Sequence, residues 1–199
     1  MPEPRVAELA RNTAETRIAV SIRLDGTGEA QVATGVGFFD HMLTHIAKHG
    51  LFDLTVEAAG DLHIDAHHTV EDAGITLGKA FREALADMRG VRRFGHAVVP
   101  MDEALAEAAI DISGRPFLVF QADLAGKRVG AFDAELAEEF FRAFAMNARI
   151  TLHLELRRGA NVHHCIEALF KAFARALDDA SRRDGRSDAV PSTKGMLDV

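Results

Sequence analysis

At 199 residues the chain can form one sizeable domain or two small halves packed as one unit. A net charge of −7, with both signs interspersed, excludes the basic footprint of a nucleic-acid binder, and no apolar run reaches the roughly 18–20 residues of a membrane span. Cys165 is the only cysteine, which excludes a disulfide within the chain and implies a reducing, cytoplasmic setting. Residues 1–5 lack the basic and apolar regions of a signal peptide.

Ile18, Val20, Ile22 and Leu24 occupy every second position, so residues 18–24 are predicted to form a strand with one wetter face. Asp25-Gly26-Thr27-Gly28 reads as a hairpin-type turn, after which 31–34 resume a short strand. Residues 38–48 read as a helix that stops at Gly50, 52–58 as a strand, Gly60-Asp61 as a turn, and 69–88 as a long helix ended by Gly90. The same order then recurs. It gives strand 104–112, the turn Ser113-Gly114-Arg115-Pro116, strand 117–122, helix 134–145, strand 150–156, the turn Arg158-Gly159-Ala160-Asn161 and helix 165–180. The Gly, Ser and Pro of 182–194 mark a loop or arm.

The recurrence extends to individual residues. Phe38-Phe39 opens one helix and Phe140-Phe141 lies in its counterpart; His67-His68-Thr69-Val70-Glu71 returns as His163-His164-Cys165-Ile166-Glu167. A Lys-Ala-Phe triplet follows each motif, at Lys79-Ala80-Phe81 and Lys171-Ala172-Phe173. The fold class implied is α+β, with a sheet-plus-helices unit duplicated within the chain. Residues 1–90 and 91–180 are assigned as the two repeats and 181–199 as a C-terminal substrate-binding arm, all in one compact catalytic unit.

His and Glu at i and i+4 project from one helix face, so His67 with Glu71, and His163 with Glu167, can each grip an ion. The second histidine of each pair, His68 or His164, points about 100° away around the helix and suits a second ion or the ion of a neighbouring copy. One such motif is compatible with ordinary packed histidines. Two copies, each after a polar turn at the head of a helix, point to two metal ions. A structural zinc would call for more cysteines than Cys165. His41 is a further candidate ligand, with Asp40 available to orient it. His45 and His49 read as packing or surface residues, and His96 and His153 as ordinary histidines. Glu139, just before Phe140-Phe141, is the second half's candidate ligand.

Arg93 and Arg115 lie near element ends and Lys171 within its helix, and Pro191-Ser192-Thr193-Lys194-Gly195 joins two hydroxyls, an ammonium and a flexible glycine. That grouping can cradle a phosphate. It lacks the Gly-rich opening of a nucleotide-binding loop, so ATP is not implied. The residues alone leave a two-metal hydrolase level with a lyase.

The ordered set of segments is specific where no single one is. It comprises Arg11-Asn12-Thr13-Ala14-Glu15-Thr16, Gly37-Phe38-Phe39-Asp40-His41-Met42-Leu43, Asp65-Ala66-His67-His68-Thr69-Val70-Glu71-Asp72, Arg93-Phe94-Gly95-His96-Ala97, Pro100-Met101-Asp102-Glu103-Ala104, His163-His164-Cys165-Ile166-Glu167 and Pro191-Ser192-Thr193-Lys194-Gly195. Across nearly the whole chain it resembles the imidazoleglycerol-phosphate dehydratase family, lyases of histidine biosynthesis. The resemblance implies a duplicated fold like the second domain of ribosomal protein S5, and a homo-oligomer of 24 subunits built from trimers. It implies two Mn2+ per site, formed where subunits meet, with His41, His67, His68, Glu71, His163, His164 and Glu167 as ligands. The family's eighth ligand is commonly a histidine, and Glu139 stands in its place. The resemblance assigns Glu15 to the substrate, and Arg93, Arg115, Lys171, Ser192 and Lys194, with Thr193 beside them, to the phosphate.

The reaction so implied removes water from D-erythro-imidazole glycerol phosphate and gives imidazole acetol phosphate. It would pass through a metal-bound imidazolate and a diazafulvene-like intermediate, with Glu15 as the first choice of general base and a metal-bound water or Asp72 as the alternatives. A hydrolase would release phosphate instead, and a metal-storage scaffold would need neither Glu15 nor the Ser192-Thr193-Lys194 clamp.

Overall fold

The computed structural model describes residues 4–197. The first half runs β1 (Val6–Asn12), β2 (Thr16–Arg23), β3 (Ala30–Ala33), α1 (Gly37–Gly50), β4 (Asp53–Gly60) and α2 (His67–Ala84). The second runs β5 (Phe94–Met101), β6 (Ala104–Asp111), β7 (Phe117–Gln121), β8 (Arg128–Val129), β9 (Phe132–Asp133), α3 (Leu136–Ala148), β10 (Thr151–Arg158) and α4 (Val162–Ser181). Apart from the small β8–β9 hairpin, the halves repeat one topology. Their sheets are ordered β1-β2-β4-β3 and β5-β6-β10-β7. In each, the parallel pair, β3 with β4 or β7 with β10, is joined through a helix, as parallel strands require.

The alternating pattern explains which face of each sheet is inside. Ile18, Val20 and Ile22 of β2, and Leu152 and Leu154 of β10, are buried. α1 and α2 lie on the first sheet, α3 and α4 on the second, and the helical layers meet with α2 against α3 and α1 against α4. Phenylalanine fills this seam. Phe39, Phe81, Phe140, Phe141, Phe144, Phe170 and Phe173 are fully buried, and the Phe140 ring touches those of Phe39, Phe141, Phe144 and Phe170. α2 approaches α3 through glycine: a Cβ on Gly74 would meet Phe140 O at 2.9 Å, and one on Gly78 would meet Phe144 O at 2.6 Å. This contact sets a parallel register.

Four features depart from the pattern read in the sequence. The Asp25–Gly28 stretch does not close a hairpin, because β4 lies between β2 and β3. Asp53 at the start of β4 accepts from the Thr27 and Glu29 N–H groups and draws the loop across. The long helix ends at Ala84 rather than Met88, since Ala86 and Met88 take left-handed φ values of 52° and 58°. Strands β1 and β5 are additional, as is the β8–β9 hairpin. No helix among the described residues is long and apolar enough to cross a membrane.

Candidate metal centre and active site

A side-chain cap starts α4, and the residue before the Ala66 cap of α2 bonds the first motif histidine of that helix. Asn161 Oδ1 accepts from the His163 and His164 N–H groups at 2.9 and 3.4 Å, and Asp65 Oδ1 accepts from His67 N–H at 2.8 Å. Within α4, His163 Nε2 then lies 3.1 Å from Glu167 Oε2. His41, carried on α1, brings its Nε2 to the same oxygen at 3.1 Å. His45 Nε2 completes the group, 3.2 Å from His41 Nε2 and 3.4 Å from Glu167 Oε2. Adjacent donors on an octahedral ion with bonds of about 2.2 Å stand about 3.1 Å apart, so His41, His45 and Glu167 have the spacing to share a divalent cation, with His163 at its margin.

The electrostatics keep these donors available. Burial would raise the Glu167 pKa, but the hydrogen bond from Lys171, the charge of His45 and the bond to His41 outweigh it and hold the carboxyl at about 2. Burial, opposed by Glu167, pushes His45 down to about 4, which leaves its ring neutral at neutral pH. A carboxylate and neutral imidazoles are the forms that bind metal.

The second set sits at the head of α2. His67, His68 and Glu71 are all half-buried, as is Glu139 on α3. The two histidines of each motif splay alike: the His67 and His68 rings are 6.1 Å apart and perpendicular, and those of His163 and His164 are 6.2 Å apart at 83°. This is the divergence that helix geometry dictates. His68 Nδ1 lies 2.9 Å from Asp61 Oδ2 and 3.9 Å from Glu15 Oε2, which puts the exposed Glu15 beside this set. His164 Nδ1 lies 2.8 Å from Glu103 Oε2. A cavity of about 550 Å³ lies beside the heads of α1 and α2, walled on its far side by the β8–β9 hairpin, and none of the proposed ligands lines it. Its lining includes Ala66, which precedes His67, and Phe38, whose ring meets His163 edge-on at 5.0 Å.

The structure divides the proposed anion-binding residues. Arg93 forms a two-pronged contact with Asp111, at 2.7 and 3.2 Å, and donates to Pro191 O at 2.8 Å. These bonds hold it at a left-handed φ of 72°, a conformation that costs a non-glycine residue energy. Arg115 reaches the same Asp111 at 3.6 Å. Ser192, following Pro191, accepts from Lys194 N–H through Oγ, and Thr193 and Lys194 are exposed. Arg93, Arg115 and the 191–195 loop therefore share one neighbourhood. Lys171 stands apart from it, with its ammonium 2.5 Å from Glu167 Oε1.

Asp40 does not orient His41. It accepts from Thr34 N–H and Thr34 Oγ1 and so fastens the β3–α1 turn. Sequence reasoning also passed over His45, although its i+4 spacing from His41 was a usable signal. Asp61, Glu103 and Asp111 were not visible as site residues, because each reaches its partner only through tertiary folding.

Two sheets enclosing four helices, with imidazole and carboxylate side chains duplicated at the helix heads, define a duplicated α+β protein with a His/Glu group that could hold a metal ion. The family model for imidazoleglycerol-phosphate dehydratase matches residues 34–177. An imidazoleglycerol-phosphate dehydratase from Symbiobacterium thermophilum is 66% identical over 193 residues, covering 97% of this chain and 93% of that one. One from Acetivibrio thermocellus is 60% identical over 193 residues, covering 97% and 99%. The crystal structure of the Staphylococcus aureus imidazoleglycerol-phosphate dehydratase superposes with a TM-score of 0.81 at 45% identity, covering 90% of this chain and 99% of that one. The chain belongs to the imidazoleglycerol-phosphate dehydratase family, which makes it a hydro-lyase of histidine biosynthesis.

Proposed function

We propose that this chain removes water from D-erythro-imidazole glycerol phosphate to give imidazole acetol phosphate, and that it does so with two Mn2+ ions. The carrying observation is the convergence of His41 Nε2 and His163 Nε2 on Glu167 Oε2, both at 3.1 Å. His41, His163 and Glu167 are the proposed ligands on the α1/α4 side, with His45, which the structure adds to this group, as a further candidate. His67, Glu71 and Glu139 are those on the α2/α3 side, and His68 and His164, which diverge from His67 and His163, would serve the ion of a neighbouring copy.

The proton to be lost sits on a carbon with no carbonyl beside it, so the substrate's own ring must accept the electron flow. Divalent ions held by these histidines and carboxylates would supply positive charge that favours the imidazolate form of the substrate ring. The ring can then expel the adjacent hydroxyl, leaving a diazafulvene-like species, and loss of the neighbouring C–H proton gives an enol that becomes the ketone. Glu15 is the proposed proton acceptor, since it borders His68 while lying outside both motifs. Arg93, Arg115, Ser192, Thr193 and Lys194 would hold the phosphate tail and align the two reacting carbons. Lys171, whose ammonium bonds Glu167 Oε1 at 2.5 Å, remains the further proposed phosphate ligand.

The assembly proposed is a homo-oligomer of 24 subunits built from trimers. Exposed apolar side chains on the otherwise polar outer face of the second sheet support self-association: Phe94, Val98 and Phe117 are 59, 48 and 57% exposed, and Phe94 and Phe117 fall in one cross-strand row through Asp111 and Thr151. The metal reading is tested by elemental analysis of Mn2+-loaded protein, which is expected to give two ions per chain. A value near one would overturn it.

A further inference from the structure

The duplicated motif has a third element that the duplication supplies only in part: Glu15 and Glu103 each stand just before the second strand of their sheet, β2 or β6, yet Glu15 Oε2 stays 3.9 Å from His68 Nδ1 and the close contact there comes from Asp61. His68 and His164 occupy equivalent places, and each presents Nδ1 to a carboxylate, at 2.9 Å from Asp61 Oδ2 and 2.8 Å from Glu103 Oε2. The two carboxylates come from non-equivalent positions. Asp61 follows β4, seven residues before its histidine; Glu103 lies in the β5–β6 turn, sixty-one residues before its own. Two different chain segments thus deliver the same group to the same nitrogen.

We propose that Asp61 and Glu103 are positioning residues that fix His68 and His164 with the proton on Nδ1 and the lone pair of Nε2 turned to the metal. The inference rests on the reading of His68 and His164 as ligands. A neutral imidazole has one N–H and one lone pair, and the hydrogen bond at one nitrogen decides which is which. A carboxylate at Nδ1 selects the Nε2 donor, holds the ring plane and raises the basicity of the donor nitrogen. Nε2 is also the atom that His41, His45 and His163 bring to the first cluster, so one donor atom would serve throughout.

Each carboxylate is itself arranged for this task. Glu103 Oε1 accepts from Ala160 N–H at 3.2 Å and Asn161 N–H at 2.8 Å, which anchors it to the turn that caps α4. The grip leaves Oε2 aimed at His164. Asp61 keeps its other oxygen, Oδ1, buried without a hydrogen-bond partner among the described residues. An unpartnered buried oxygen costs stability, and an apolar residue would avoid that cost. Retention of a carboxylate there is explained by its service to His68.

Asp61→Asn and Glu103→Gln test the proposal, since both keep size and remove charge. Mn2+ affinity, measured by titration with free Mn2+ followed by electron paramagnetic resonance, is expected to fall about 10–100-fold for one ion in each variant. The other ion should bind as before, and thermal unfolding of the metal-free proteins should be unchanged. Unchanged affinity in both variants would overturn the proposal, as would equal loss of both ions accompanied by lower metal-free stability. His68→Ala and His164→Ala locate the fault. If they too bind Mn2+ normally, the ligand reading fails and takes this inference with it; if they lose an ion while the carboxylate variants do not, the positioning role alone fails.

Discussion

Glu15→Gln is expected to lower kcat by about 10²–10⁴-fold, the usual worth of a general base. Glutamine keeps the size and reach of the side chain and removes the basic oxygen. The residue is outside both ligand motifs and its carboxylate lies 3.9 Å from His68 Nδ1, so metal content should remain at the wild-type level. Lys194→Ala provides the contrast. Lysine holds the phosphate in ground and transition states alike, so its loss should raise KM and leave kcat close to normal. Steady-state kinetics at matched metal occupancy separates the two effects. A near-normal kcat in Glu15→Gln would move the proton-accepting role to another carboxylate or to water.

The largest effect on stability is expected from Phe140→Ala. Phe140 is fully buried, its ring meets those of Phe39, Phe141, Phe144 and Phe170, and its carbonyl lies under Gly74 of α2. It therefore ties α1, α3 and α4 together at the point where α2 crosses. Truncation should cost about 3–5 kcal/mol, the range for a buried aromatic whose cavity cannot collapse. Helix backbones on three sides prevent that collapse. Denaturant unfolding of the metal-free protein measures the loss, and a cost below about 1 kcal/mol would mean that the seam between the halves is not the core described here. Glu139 is adjacent, so the same variant should also weaken metal binding on the α2/α3 side.

How far the fold was legible depended on which side chains carried the burial. β2 could be read because Ile18, Val20 and Ile22 are large, apolar and all inside. β5 could not, because its pattern is inverted. Its buried position Gly95 is bare so that the strand can lie on α4, where a Cβ would meet Ala176 O at 1.9 Å, while Phe94 and Val98 face outward. β1 was equally silent, since only Ala7 on it is fully buried. Loop pairing was misjudged at Asp25–Gly28 because the partner of Thr27 and Glu29 is Asp53, on a strand that comes later in the chain.

The site shows the same division. His163 with Glu167 is a local relation fixed by helix periodicity, and it was visible in the spacing. The meeting of His41 with Glu167 spans 126 residues and depends on α1 lying along α4. Asp111 as the common anchor of Arg93 and Arg115 depends on sheet register, because Asp111 pairs with Phe94 across β5 and β6. Such partners follow from topology and carry no local mark in the sequence.

The central claim is that the chain dehydrates imidazole glycerol phosphate without breaking its phosphate ester. Phosphorus-31 NMR of the purified Mn2+-loaded protein with that substrate tests it in one spectrum series. The expected result is complete conversion of the substrate resonance to that of imidazole acetol phosphate with no inorganic phosphate. Release of inorganic phosphate, or a substrate signal that persists with fully loaded protein, would contradict the account.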